Sequence, residues 1–321
     1  MAQLKKLSRP ATFVITKVAA GVFVVWGAVT AVFFVNAFAG GNNAESIIGA
    51  ESATVPGLRE QVTAQYGLDN PLVEQYWDRM SALATGDLGW SYQRDEPVTH
   101  VLAGQVIPTL VLAGAAALMG LLLALCATAA TVGRTGASSK LPGVIEILLV
   151  ATPPFWTGIV LLTIFSFGLQ WFPAFGATGP VSLVLPTVAL ALPIAGVLAQ
   201  IMRNQLAEVD RSAFALSARA RGLTERSVFW HHTLRHAMLP TLTLSAWTLG
   251  TLIGGAVLVE QVFSRPGLGR VLVDAVKGHD TPVVMAVVTI SAIVFVIANT
   301  TADLVLPLID PRVRDLKGAD A

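Results

Sequence analysis

Charge is what this sequence has least of. Only 13% of its 321 residues are Asp, Glu, Lys or Arg, against 54% hydrophobic, and the mean hydropathy is +0.67. An ordinary soluble domain, with about 25% charged residues, is excluded. The net charge of +1 makes no field that would recruit nucleic acid or an acidic substrate. Cys126 is the single cysteine, so no intrachain disulfide framework exists. Catalytic signatures are missing as well. There is no G-x-x-x-x-G-K-S/T phosphate loop, so if ATP drives this protein another chain binds it, and no G-x-S-x-G elbow to support a hydrolase. His231, His232 and His236 cluster, with His232 and His236 on one helix face. The residue after His232 is Thr233, however, where H-E-x-x-H needs a glutamate, and no acidic third ligand sits nearby. We read these histidines as helix-surface or helix-end groups. No catalytic, cofactor-binding or metal-ligating residue is assigned.

Long apolar runs fill the space left by charge. A helix needs about 20 mostly apolar residues to cross the hydrocarbon core, and six stretches qualify: 12–39, 101–132, 144–167, 183–202, 239–262 and 282–309. Lipid leaves unpaired backbone groups without partners, so all six are expected as helices. The fold class is therefore an all-α polytopic membrane protein with six transmembrane helices. Basic residues cluster at Lys5, Lys6, Arg9 and Lys17, at Arg134 and Lys140, at Arg203, Arg211, Arg219, Arg221, Arg226 and Arg235, and at Arg312, Arg314 and Lys317. These groups fall on one side of alternating spans, which by the positive-inside rule puts them and both termini in the cytoplasm. The segment after the first span is acidic, with Glu45, Glu51, Glu60, Asp69, Glu74, Asp78, Asp87, Asp95 and Glu96 against Arg59, Arg79 and Arg94, as an outside loop should be. The organisation expected is a tail and first helix over 1–39, an extracytoplasmic loop domain over 40–100, and a transmembrane domain over 101–321 with a cytoplasmic loop at 203–238. Ala37-Phe38-Ala39 resembles a signal-peptide cleavage site, but the preceding apolar run far exceeds the roughly 7–15 residues of a signal core, so we expect it to be retained.

The outer loop is too long for a simple connector. Residues 56–84 read as helical pieces, with Asp69-Asn70-Pro71 as a turn and Pro71 at a favoured helix start; Gly86-Asp87-Leu88-Gly89 ends the unit. It is either a cap that packs on the membrane domain or a contact surface for a delivered substrate or its carrier. Within the spans, Pro108, Pro153-Pro154, Pro186 and Pro193 suit a pathway-lining bundle or ordinary membrane packing. Gly250 and Gly254 give the small-xxx-small spacing of close helix approach. Ionisable residues, Lys17, Glu146, Glu260 and Asp303, fall near span ends, and interior polarity comes from residues such as Thr109, Gln200, Thr243, Ser245, Thr248 and Asn299. A secondary transporter would need intramembrane charge at depth or inverted repeats, and neither is found.

The most informative stretch is the polar segment 203–236, RNQLAEVDRSAFALSARARGLTERSVFWHHTLRH. It cannot lie in lipid and has too little apolar surface to fold alone. It reads as two helices, the first through 210–221, a break at Gly222, and a second from Thr224, a plausible N-cap. Glycine takes positive φ without steric cost and so fixes the angle between them. Attraction to anionic lipid would explain the arginines but not the helix, glycine, helix order. This segment resembles the EAA loop of permease subunits of binding-protein-dependent ABC importers, in the dipeptide/oligopeptide and nickel branch. Its Glu-Ala-Ala places fall on Leu216, Ser217 and Ala218, its glycine on Gly222, and its Ile-x-Leu-Pro on His232, Leu234 and Arg235; Ala218, Gly222 and Leu234 agree. YGLDNPLVEQYWDRMSALATGDLGWSYQRDEPV (66–98) and VEQVFSRPGLGRVLVDAVKGHDTPVV (259–284) resemble other segments of the same branch. Gly40-Gly41-Asn42-Asn43 stands where many relatives have Pro-Gly-Asp-Pro.

The resemblance implies a non-catalytic permease subunit of the bacterial inner membrane that forms half of a translocation pathway for short peptides, with nickel or another small solute as the alternative. It implies as partners a second homologous permease, two ATP-binding cassette subunits that carry ATP and Mg, and an extracytoplasmic solute-binding protein. The coupling loop would enter a groove of the ATPase. Ser217, Ala218, Arg219, Arg221, Gly222, Glu225, Arg226, Phe229 and Trp230 are its candidate docking residues: Gly222 setting the angle, Arg219, Arg221, Glu225 and Arg226 giving polar contacts, and Phe229 and Trp230 giving apolar anchors.

Overall fold

The computed structural model describes residues 2–38, 48, 57–65, 67, 69–131, 141–176, 179–210 and 212–309. The turn at Gly40-Gly41-Asn42-Asn43, and Arg134, Lys140, Arg211, Arg312, Arg314 and Lys317, lie outside them. The elements are, in order, α1 (Ala2–Phe38), α2 (Leu58–Gln65), α3 (Leu72–Ala84), β1 (Trp90–Ser91), β2 (Glu96–Pro97), α4 (Val98–Leu102), α5 (Val106–Ala129), α6 (Leu141–Ala151) and α7 (Pro154–Leu161), the last running on as a π-helical stretch, Leu162–Gly168. Then come α8 (Val181–Asp210), α9 (Ala213–Ala220), α10 (Glu225–Val228), a π-helical stretch Phe229–Thr233, α11 (Leu234–Val262), α12 (Leu268–Lys277) and α13 (Thr281–Ile309). Among the described residues the fold is all-α but for the two-residue antiparallel pair β1–β2, in which Trp90 faces Pro97 and Ser91 faces Glu96.

Among the described residues, four helices are long and apolar enough to cross a membrane, at Ile15–Phe38, Val98–Ala129, Val181–Val209 and Thr281–Thr301. The span expected over 144–167 is not one straight helix. It is the pair α6 and α7, bent by 98°. The cause is local: Pro153 precedes Pro154, whose ring denies the residue before it the helical conformation, and Pro153 sits at φ −62°, ψ 138°. Pro154 then opens α7, where its missing N–H costs nothing. The span expected over 239–262 lies in α11, whose apolar described stretch is Gly250–Val262.

The chain groups into two compact units, 1–106 with 267–297 and 107–266 with 298–321. In the first, α3 is stapled to α1. Tyr76 Oη accepts from Trp26 Nε1 at 2.9 Å and lies 2.9 Å from Thr30 Oγ1, while its ring meets Phe33 edge-on at 5.4 Å. The β1–β2 hairpin is hung on the buried Asp280, which accepts from Ser91 Oγ at 2.5 Å and from the backbone N–H groups of Tyr92 and Gln93 at 3.2 Å each. Gln93 Nε2 donates to the Gly278 carbonyl at 2.8 Å. Beneath the hairpin, Val98, Val101 and Leu102 pack on Leu268, Val271, Val283 and Val287.

In the second unit α8 is the central helix: 61% of its apolar window is buried. Its Leu190, Ile194 and Leu198 form one apolar cluster with Leu112 and Ala116 of α5 and with Leu252, Ala256 and Val259 of α11. Some buried polar groups here are paired, whereas Ser166 Oγ, Thr187 Oγ1 and Gln261 Oε1 have no hydrogen-bond partner among the described residues. Thr109 Oγ1 donates to Glu260 Oε1 at 2.6 Å, and Arg265 Nη1 donates to the Ser182 carbonyl at 3.0 Å.

Candidate functional site

The charged loop is built by two capping devices. At the end of α9, Gly222 adopts φ +84°, Leu223 N–H donates to the Ala218 carbonyl at 3.3 Å and Gly222 N–H to the Arg219 carbonyl at 2.8 Å. That is the double hydrogen-bond pattern of a Schellman helix end, which needs a left-handed residue where Gly222 stands. Two residues on, Thr224 Oγ1 accepts from Ser227 N–H at 3.3 Å and caps α10. The two arms fold against each other through small side chains, Ala215 and Ala218 packing on Val228.

Charge braces the turn. Arg219 donates through Nε to Glu225 Oε1 at 2.9 Å and through Nη2 to Glu225 Oε2 at 3.0 Å, a bidentate pair spanning Gly222. The hydrogen bond from Arg219 holds the Glu225 carboxyl below its ordinary range. These two residues, expected to offer polar contacts outward, are thus joined to each other. Arg221 Nε donates to the Ser217 carbonyl, and Ser217 Oγ to the Ala213 carbonyl at 2.8 Å.

The apolar residues divide. Phe229 is 4% exposed and packs inward with Met202 and Leu234. Trp230, its ring edge-on to Phe229 at 5.1 Å, is 53% exposed. Leu216, named above only as the place of the motif's glutamate and not as a contact, and Leu223 are also exposed. Their signal was available: apolar side chains left on the outer side of a pair whose inner side is alanine. The side chains of Arg226, His232, Arg235 and His236 lie outside the described residues. Hydroxyls, guanidinium groups and an indole on a braced helical turn can hold a partner; among the described residues no nucleophile is paired here with a base.

Long apolar helices and a braced, charged helical turn define a multi-pass membrane protein. Residues 116–315 match the family model described as binding-protein-dependent transport system inner membrane component. The glutathione transport system permease protein GsiC of Escherichia coli K12 is 34% identical over 256 residues, 79% of this chain and 84% of that protein. Its counterpart in Salmonella typhimurium LT2 is 34% identical over 276 residues, 85% and 89% of the two chains. A solved structure of the MetNI methionine ABC transporter in an inward-facing conformation superposes with a TM-score of 0.56 at 18% identity, covering 65% of this chain and 95% of that one, so the fold is shared. The chain belongs to the family of binding-protein-dependent transport system inner membrane components: it is a multi-pass permease subunit of an ABC importer.

Proposed function

We propose that this subunit imports short peptides, forming half of the translocation pathway with a second, homologous permease, and that it docks an ATPase subunit through residues 203–238. The observation that carries the substrate class is the 34% identity to permeases named for glutathione, a tripeptide-like thiol, across about four fifths of the chain. The loop geometry supports the docking reading. Leu216, Leu223 and Trp230 give exposed apolar contacts of the type that anchors interfaces, Ser217 and Arg221 give polar ones, and the Arg219–Glu225 bridge holds the turn in shape. ATP and Mg are held by the two ATPase subunits, an extracytoplasmic binding protein delivers the peptide, and both termini face the cytoplasm.

The test is affinity purification of the tagged chain from gently solubilised membranes, followed by uptake of labelled di- and tripeptides by the recovered complex in proteoliposomes. Recovery of ATPase chains with a second permease and ATP-dependent peptide uptake is expected. A homo-oligomer free of ATPase would overturn the docking reading; a complete complex that hydrolyses ATP but imports no peptide would overturn the substrate class.

A further inference from the structure

The two ends of the braced loop run into different membrane helices: α9 is entered from α8, and α10 leads on into α11. Of those helices, α8 packs on both arms of the bent pair and α11 on its second arm, α7. On the α8 side, a Cβ at Gly196 would stand 2.8 Å from the Glu146 carbonyl oxygen and 2.9 Å from Val150 Cγ2, so α6 rests on bare α8 backbone. About two turns nearer the loop, Arg203 Nη2 meets Glu146 Oε2 at 2.5 Å. Gly143 makes room for that guanidinium, since a Cβ there would lie 3.2 Å from both of its terminal nitrogens. On the α11 side, α7 closes at Gly158, where a Cβ would meet Phe263 Cε2 at 3.0 Å and Val262 Cγ1 at 3.4 Å.

Glu146 is the single charge in α6, LPGVIEILLVA, and its side chain is 5% exposed against 31% for Arg203. A buried ion pair is a poor stabiliser, because desolvation offsets its attraction, and Gly196 already provides close packing of α6 on α8. What the pair adds is a directional link, strong in a low-dielectric setting, between α6 and the loop-proximal end of α8.

We propose that the Glu146–Arg203 ion pair is a transmission contact that makes α6 follow the loop end of α8, so that movement of α9 reaches the bent pair α6/α7 instead of being lost as α8 slides past it. The inference rests on the docking reading of α9 and α10. Rigid-body transfer of this kind needs contacts that resist shear. Glu146 and Arg203 are positioning residues; neither touches nucleotide or substrate.

The experiment uses the assembled transporter in lipid nanodiscs, with Cys126→Ser, the natural cysteine being exposed. Spin labels at Asn204 and Leu258 report motion of α8 against α11, and labels at Ile147 and Leu258 report motion of α6 against α11, each with and without ATP and vanadate. In the native pair both distances shift on trapping. In Glu146→Gln the α8 shift persists while the α6 shift falls by at least half, and the exchanged pair Glu146→Arg, Arg203→Glu restores it. A half-broken buried pair can compromise folding, so the double variant Glu146→Met, Arg203→Met, which refills the space with apolar side chains, carries the same measurement. A full α6 shift in that variant overturns the proposal and leaves docking intact. Absence of any α8 shift in the unmodified, ATPase-bound complex overturns the docking reading and the transmission contact with it.

Discussion

At the scale of single residues, Gly222 and Glu225 decide the shape of the loop. At φ +84° an L side chain is strained by about 1 kcal/mol, although a Cβ at Gly222 would meet nothing within 4 Å. The cost is therefore backbone strain alone, and asparagine, which tolerates the left-handed region, should bear it best. Gly222→Asn is expected to keep most of the uptake per ATP hydrolysed; Gly222→Glu should insert normally yet lose at least tenfold, as measured in proteoliposomes. Normal coupling in a stably inserted Gly222→Glu protein would sink the role given to this turn. Glu225 adds a pH dependence. Its carboxyl titrates lower when folded than when unfolded because Arg219 donates to the charged form. Its contribution is thus complete above the unfolded value of about 4.5 and is lost as pH falls through the lower folded value. The carboxylate is 52% exposed, so solvent screening limits the pair to less than about 1 kcal/mol. Melting curves of the detergent-solubilised protein should show Glu225→Gln slightly less stable than the parent from pH 8 to 6, with the gap closing below pH 4.5. A gap that widens on acidification would contradict the bridge.

At the scale of elements, the outer hairpin depends on a residue far from it in sequence. Asp280 accepts three hydrogen bonds from β1 and the turn after it while almost wholly buried. Asp280→Ala strands those donors, at a cost of about 3 kcal/mol. Limited proteolysis should then cut between residues 86 and 95 at least tenfold faster than in the parent, and unchanged cleavage would show that the hairpin is held by its apolar floor alone. This contact illustrates what a sequence does not reveal. Gly222 and Thr224 were legible because helix ends are chemically local: a left-handed position and a side-chain cap lie within a few residues of what they terminate. The apolar runs placed the four long membrane helices for the same reason. The proline pair at Pro153-Pro154 was visible but not its 98° bend, since the angle depends on what α6 and α7 each pack against. Ser91 with Asp280 and Glu146 with Arg203 pair residues 189 and 57 positions apart, which no periodicity encodes. Phe229 and Trp230 were equivalent on paper; tertiary packing alone put one ring inside and left the other out.

At the scale of the whole molecule, orientation and docking can be read from one pair of engineered cysteines. By the positive-inside rule, the distribution of basic residues predicts the loop at 203–238 in the cytoplasm and the segment 40–100 outside. Glu74 and Ser217 are both exposed and sit on helices, α3 and α9, so a cysteine at either is reachable without disturbing the core. In a Cys126→Ser background, a membrane-impermeant maleimide applied to intact spheroplasts should label Glu74→Cys and leave Ser217→Cys untouched. Inverted vesicles should reverse the pattern, because no rearrangement carries a polar helix across the hydrocarbon on the time of labelling. The docking reading adds a further condition. If Ser217 lies under an ATPase, its cysteine in inverted vesicles reacts slowly while the complex is whole and several-fold faster once the ATPase is stripped, whereas Glu74→Cys responds to neither treatment. Fast labelling of Ser217→Cys in the intact complex would move the ATPase contact off α9, and labelling of both positions from the same side would overturn the topology itself.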